Sequence, residues 1–243
     1  HHRVGHFFLN HGIHVLMEKP IATTITEADE LITAAKKNHV KKFIFISTIK
    51  VNGEFTDNTP FTADDMPRPS DDYAASKHLA ELELLKLHEA DVFEVVIIRP
   101  CLIYAKGVKA NFENLISLIK KQIPLPFGSI NNKRSFISAA NLADLIIACS
   151  VMPQASGQIF LASDDNDLSL TELIKVIAKE LKIKPFLLPI PMRLMKLVFK
   201  IIGKSDFSTR LFSNLQVDIT KTKILLNWKP PFSTSDEIRK MLT

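Results

Sequence analysis

The stretch FIFISTIKVNGE at residues 43–54, followed by YAASK at residues 73–77, decides how this chain is read. Phe43 to Ile46 form a short, continuous apolar run of β-favouring type, and Ser47 and Thr48 stand at its end. A run without polar alternation suits a strand covered on both faces. Tyr73 and Lys77 lie at i and i+4, so a helix would project phenol and ammonium from one face. A free tyrosine titrates near pH 10, too high for a general base at neutral pH, and a neighbouring cation favours the phenolate. A phenol so placed can exchange a proton with a substrate hydroxyl while hydride moves at the same carbon. YxxxK alone is a common pattern. It gains weight from the Ser-Thr pair 25 residues upstream, because open α/β sheets gather ligands at the carboxyl ends of their strands. A hydroxyl there can position the reacting oxygen; the plainer reading is that Ser47 and Thr48 merely begin a turn.

Outward from this pair, strands and helices alternate. A helix is expected at about 2–11 and a buried strand at HVLMEKP, 14–20. ITEADELITAAKK follows with helical periodicity, Ala28, Leu31, Ile32 and Ala35 on one side, and Thr26 reads as its N-cap with Asp29 three residues on. A polar loop with Pro60, Pro67 and Pro69 spans about 52–70, a helix runs from Tyr73 to about Glu89, and EVVIIRP forms a buried strand ending at Pro100. Further strands are expected at 134–138, 158–162 and 185–190, and helices near 111–121, 140–151, 170–181 and 192–202. Continuous apolar strands alternating with amphipathic helices predict an α/β fold with a parallel sheet.

The 243 residues are 46% hydrophobic and 23% charged, which suits one large domain or two small ones. No apolar run reaches the roughly 18–20 residues of a membrane span, and no secretory leader is read at the start. Cys101 and Cys149 sit in apolar surroundings without a CxxC partner, as reduced thiols of a cytoplasmic protein would. The net charge is +5, and residues 181–243 carry twelve Lys or Arg against four Asp or Glu. Such a field attracts phosphates without choosing their carrier, and no zinc-finger or aromatic-interleaved basic pattern argues for nucleic acid. Five histidines fall in the first 14 residues, but no cysteine or carboxylate completes a ligand set, so no metal is expected. PMRLMKLVFKIIGK at 191–204 reads as a helix of the substrate region with solvated lysines, or as a basic amphipathic membrane-surface helix.

FISTIKVNGE, DDYAASK, VVIIRPCLIYAKGVKANF and IPLPFGSINNKRSFISAANLADLI, in this order and spacing, resemble an extended short-chain dehydrogenase/reductase. More narrowly they are similar to the NAD-dependent epimerase/dehydratases of UDP-glucose 4-epimerase type. The resemblance covers residues from about 41 to 243. It implies Thr48, Tyr73 and Lys77 as catalytic residues, and Ser47, Tyr73, Lys77 and Pro100 at the NAD or NADP nicotinamide end. For a UDP-sugar it implies Asn111 at the diphosphate, Phe127 near the uracil and Arg134 on the pyrophosphate, where a guanidinium fork suits phosphate. Two departures stand out: Ala105-Lys106 replaces the usual glycine-proline, and YAASK replaces YGxSK.

The family's glycine-rich turn (GxxGxxG), whose amides hold the pyrophosphate at a helix N-terminus, is not found. The seven glycines, at 5, 12, 53, 107, 128, 157 and 203, never fall at that spacing. Residues 1–40 instead resemble a helix–strand–helix piece of a Gfo/Idh/MocA-type sugar dehydrogenase, including Glu18-Lys19-Pro20, whose lysine lies by the nicotinamide in that family. The two resemblances together imply a chimera with its join near Asn38–Lys42.

The expected fold is a Rossmann-like parallel sheet lacking its N-terminal glycine-rich βαβ unit, with a smaller C-terminal substrate-binding region. The expected divisions are 1–40, 41–108 carrying the catalytic residues, and 109–243 mainly binding the nucleotide sugar. The resemblance implies an NAD(P)-dependent epimerase or dehydratase acting at C4 of a UDP-sugar for surface polysaccharide synthesis. The alternatives are a UDP-4-keto-sugar reductase and a non-catalytic UDP-sugar-binding fragment. It also leaves a homodimer open.

Overall fold

The computed structural model describes residues 2–15, 17, 24–57, 59–107, 111–203 and 205–242. Helices α1 (His2–Asn10) and α2 (Ile25–Lys37) precede strand β1 (Lys42–Ile46). A 3-10 turn at Ile49–Val51 leads through a long loop to α3 (Asp72–Lys86) and β2 (Glu94–Pro100). Then come β3 (Leu102–Tyr104), α4 (Asn111–Lys120), β4 (Phe136–Ser138), α5 (Ala139–Val151) and β5 (Ile159–Ala162). The remainder is helical: α6 (Leu170–Glu180), α7 (Met192–Ile201), α8 (Ser205–Phe212), α9 (Thr220–Leu226) and α10 (Thr234–Leu242).

Among the described residues β1, β2 and β5 form a parallel sheet in that order, with Ile44 opposite Val96 and Ile98 opposite Phe160. Its central strand explains its own sequence. Successive side chains of a strand point to opposite faces. Val95 and Ile97 pack with Leu31, Ala34, Ala35 and Leu84 from α2 and α3, whereas Val96 and Ile98 pack with Leu142, Leu145, Cys149 and Trp228 on the other side. With both faces covered, no position tolerates a polar residue without a partner, and all four side chains are fully buried. Cutting Ile98 back to alanine removes about 2–5 kcal/mol. The fold is therefore the expected Rossmann-like α/β arrangement.

A second core lies beyond the sheet. The short parallel pair β3–β4 and helices α4, α6, α7, α8 and α10 surround Phe112, Ile130, Phe136, Leu173, Ile174 and Ile177. Helix α6 begins with a reciprocal cap: the Ser169 hydroxyl accepts from the Glu172 amide, and the Glu172 carboxylate accepts from the Ser169 amide at 2.8 Å.

The structure corrects several expectations. The cap of α2 is Thr24, not Thr26: the Thr24 hydroxyl accepts from the Glu27 amide at 3.2 Å, which puts Thr26 inside the helix. PFLLPI at 185–190 is not a strand. Only an isolated bridge forms, with Leu125 donating to the Phe186 carbonyl and Leu188 donating to the Leu125 carbonyl. Pro185 and Pro189 have no amide hydrogen to extend that pairing into a ladder. The strand expected at 14–20 and the Glu18-Lys19-Pro20 motif lie largely outside the described residues. Strand β3 and helices α8, α9 and α10 were not expected from the pattern.

Candidate functional site

The ends of two strands and the first turns of one helix meet at the candidate site. Ser47 continues the ladder beyond β1, donating its amide to the Ile98 carbonyl at 2.8 Å, and its side chain is buried. Its hydroxyl oxygen has no hydrogen-bond partner among the described residues. A buried hydroxyl without a partner costs stability, so this atom is set up for something other than packing. Thr48 follows and caps the 3-10 turn, its Oγ1 accepting from the Lys50 amide at 3.4 Å. The plainer reading of Thr48, that it begins a turn, thus holds; an accepting hydroxyl keeps its own hydrogen to donate.

Helix α3 brings Tyr73 and Lys77 to this end of the sheet. The Lys77 ammonium donates to the carbonyl of Ile46, the last residue of β1, at 3.0 Å. It also stands 4.4 Å from the centroid of the Phe45 ring, where cation and ring face attract. These two contacts hold the lysine one residue from Ser47. Tyr73 lies one turn earlier on the same face and is 44% exposed.

What aims α3 is a set of residues that the sequence reading did not single out. Asp71 caps the helix, accepting from the Ala74 amide at 2.7 Å and from the Lys50 ammonium at 2.5 Å. The Lys50 bond, helped by the amide, holds its carboxyl below the usual carboxylate range. Lys50 belongs to the same 3-10 turn that Thr48 caps, so helix start and strand end are tied directly. Two turns into the helix, Glu81 takes a two-pronged hydrogen bond from Arg99: Nε to Oε1 at 2.9 Å and Nη2 to Oε2 at 2.5 Å. Arg99 Nη1 then reaches the Asn52 side-chain oxygen at 2.9 Å. Arg99 immediately precedes Pro100 in β2, and Asn52 directly follows the 3-10 turn. One buried guanidinium thereby locks β2, α3 and the loop after β1 together. The available signal was an arginine inside EVVIIRP, since a charge in a fully buried strand needs a buried partner.

The expected substrate residues fall elsewhere. Pro100 is buried at the end of β2, opposite Ala162. Phe127 is half-buried, and its carbonyl accepts from the Thr171 hydroxyl. The Asn111 side chain is outside the described residues. Arg134 is neither a solvated arginine nor open along its whole fork. Its Nη1 donates to the carbonyls of Arg210 at 2.7 Å and Ser213 at 3.2 Å, and burial lowers its pKa from the usual guanidinium value. The structure therefore brings Ser47, Thr48, Tyr73, Lys77 and Pro100 to the carboxyl end of the sheet, and puts Phe127 and Arg134 in the second region. The loop after β1 bridges the two: the amides of Thr56 and Phe61 donate to the carbonyls of Asn214 and Gln216, and the Asp218 amide donates to the Phe61 carbonyl.

A nicotinamide dinucleotide fits only in part. The unpartnered Ser47 oxygen, Lys77 and Tyr73 suit its nicotinamide-ribose end. The chain's glycines are not spaced as the family's pyrophosphate cradle requires. Gly53, which follows β1 most closely, would drive an added Cβ to 2.7 Å from the Phe61 ring, a fit to protein rather than to a ligand.

The sequence model of the NAD dependent epimerase/dehydratase family matches residues 9–161 and so takes in most of the segment before β1. The UDP-glucose 4-epimerase of Vibrio cholerae is 51% identical over 194 residues, 79% of this chain and 59% of that protein. The UDP-glucuronic acid 4-epimerase of Bacillus cereus, solved with NAD, superposes with a TM-score of 0.67 at 21% identity, over 93% of this chain and 69% of that one. The UDP-N-acetylglucosamine 4-epimerase of Methanobrevibacter ruminantium, solved with UDP-N-acetylmuramic acid, gives a TM-score of 0.67 at 21% identity, over 90% and 67%. The chain spans 59% and 48% of the lengths of the first two curated relatives it matches.

Proposed function

Because this chain belongs to the NAD-dependent epimerase/dehydratase family, we propose that Thr48, Tyr73 and Lys77 are the acid–base end of a site that works at C4 of a UDP-sugar. The reading rests on one observation: the Lys77 ammonium is held at the end of β1, beside the unpartnered Ser47 hydroxyl and one helical turn from Tyr73. In this reading Tyr73 exchanges the proton of the sugar's C4 hydroxyl. Thr48 donates its free hydrogen to the same oxygen and orients it. Lys77 keeps a positive charge near the phenol and meets the nicotinamide ribose. When bound, the nicotinamide would accept and return hydride at C4. Residues 41–108 would carry the chemistry, and residues 109–243 would mainly hold the nucleotide sugar, with Asn111, Phe127 and Arg134 as its contacts. Surface polysaccharide synthesis is the proposed use, and a 4-keto-sugar reductase would use the same residues.

The absence of a glycine cradle favours a second reading, in which this chain binds UDP-sugars without turning them over. Calorimetric titration of the folded chain with NADH and with UDP-glucose, followed by an assay of UDP-glucose to UDP-galactose conversion with NAD, separates the two. The first reading expects conversion that falls about 100-fold or more in Tyr73→Phe. UDP-glucose binding without NADH binding or conversion establishes the second. A cooperatively melting chain that binds neither ligand refutes both.

A further inference from the structure

Helix α7 presents a face that the enzyme chemistry does not use. Met195 is 5% exposed and, with Met192 and Phe199, anchors the helix in the second core, where Phe199 meets Phe207 and Phe212. The flank beside this buried face is apolar as well. Leu194, Leu197, Val198, Ile201 and Ile202 are each at least half exposed, Ile201 reaching 75%. At about 100° per residue these five occupy one continuous arc of the helix. Arg193, Lys196 and Lys200, all exposed, form a row along one border of that arc. Phe186, 55% exposed, stands in the segment leading into the helix. From Leu181 to Ser205 there are six Lys or Arg and no Asp or Glu.

A packed face, an exposed apolar arc and a cationic border are the three parts of a helix that lies in a membrane interface. Lone exposed apolar residues are ordinary, but five on one short helix form a patch that calls for a partner. The cationic row says which partner. A two-fold contact between copies sets a patch against itself and brings like charges together, whereas an anionic lipid surface attracts that row while the apolar arc enters the headgroup boundary. No described helix is long and apolar enough to cross a membrane, so the association would be peripheral. We propose that α7 docks this protein on an anionic membrane surface, with Leu194, Leu197, Val198 and Ile201 inserted and Arg193, Lys196 and Lys200 against lipid phosphates.

The test is co-sedimentation of the full chain with vesicles of phosphatidylglycerol mixed equally with phosphatidylcholine, and with vesicles of phosphatidylcholine alone. The expected result is binding to the first that weakens as the Debye length shrinks from about 8 Å at 0.15 M salt to about 3 Å at 1 M. Lys196→Gln with Lys200→Gln should lower the affinity about fivefold per cation removed. Leu197→Glu with Ile201→Glu should abolish binding while the circular-dichroism melt stays unchanged, since both side chains are in solvent. The proposal is overturned if the unaltered chain fails to bind anionic vesicles, or if it binds both compositions equally. It is also overturned if the arc instead mediates dimerisation, seen as a concentration-dependent dimer that Leu197→Glu with Ile201→Glu dissolves and vesicles do not compete.

Discussion

Replacing Glu81 with leucine removes the only carboxylate that the described structure sets against Arg99. Arg99 is 2% exposed and Glu81 1%, so the guanidinium cannot turn to water when its partner goes. Two of its nitrogens, Nε and Nη2, lose acceptors at once, and only the Nη1 bond to Asn52 remains. Breaking a buried pair by deleting one member costs about 3–5 kcal/mol, a large part of the roughly 5–15 kcal/mol that holds a domain folded. Replacing both members with apolar residues of similar volume leaves no orphaned charge and is often close to neutral. The Asn52 side-chain oxygen then loses its donor, which returns about 1–3 kcal/mol of cost. Glu81→Leu with Arg99→Met should therefore be clearly more stable than Glu81→Leu alone. Urea unfolding followed by circular dichroism measures this, provided the slope m is unchanged across the set. The reasoning is refuted if Glu81→Leu costs under about 1 kcal/mol, or if the double replacement costs the sum of the two single ones.

Three further outcomes follow from other contacts. Asp71→Ala should destabilise by about 1 kcal/mol through the lost cap of α3. Because the folded-state pKa of Asp71 lies below its unfolded value, its contribution is present above about pH 4 and disappears as pH falls through the folded value; acid titration of wild type against Asp71→Ala should show the difference vanishing there. Thr24→Ala should cost about 0.5–2 kcal/mol in thermal or urea unfolding and Thr26→Ala distinctly less, because only Thr24 satisfies an orphan amide of α2. Cys101 and Cys149 are buried, burial raising both thiols and Cys149 to about 12; a thiol-specific disulfide reagent should leave both unmodified in the native chain and titrate two thiols after denaturation.

The parts of this protein readable from its sequence are those whose cause is local or periodic. EVVIIRP is a strand over its whole predicted length, Glu94–Pro100, because burial on both faces leaves an unbroken apolar run in the sequence itself. YAASK lies on a helix whose i, i+4 geometry places phenol and ammonium together before any tertiary contact is known. The C-terminal helices α8, α9 and α10 were missed because they are only seven to nine residues long and rest on core contacts more than on their own pattern. PFLLPI looked like a strand by composition, but its prolines reduce its pairing to an isolated bridge with Leu125. That carbonyls 76 and 79 residues away would take up one nitrogen of Arg134 could not be read from its sequence neighbours. Arg99 found Glu81 across 18 residues and Asn52 across 47. Dihedral preference, capping and hydrophobic period are written along the chain, so sequence determined the elements and the Tyr73–Lys77 pairing. Hydrogen bonds and buried charges are settled by which groups water can no longer reach, and only tertiary structure decides that.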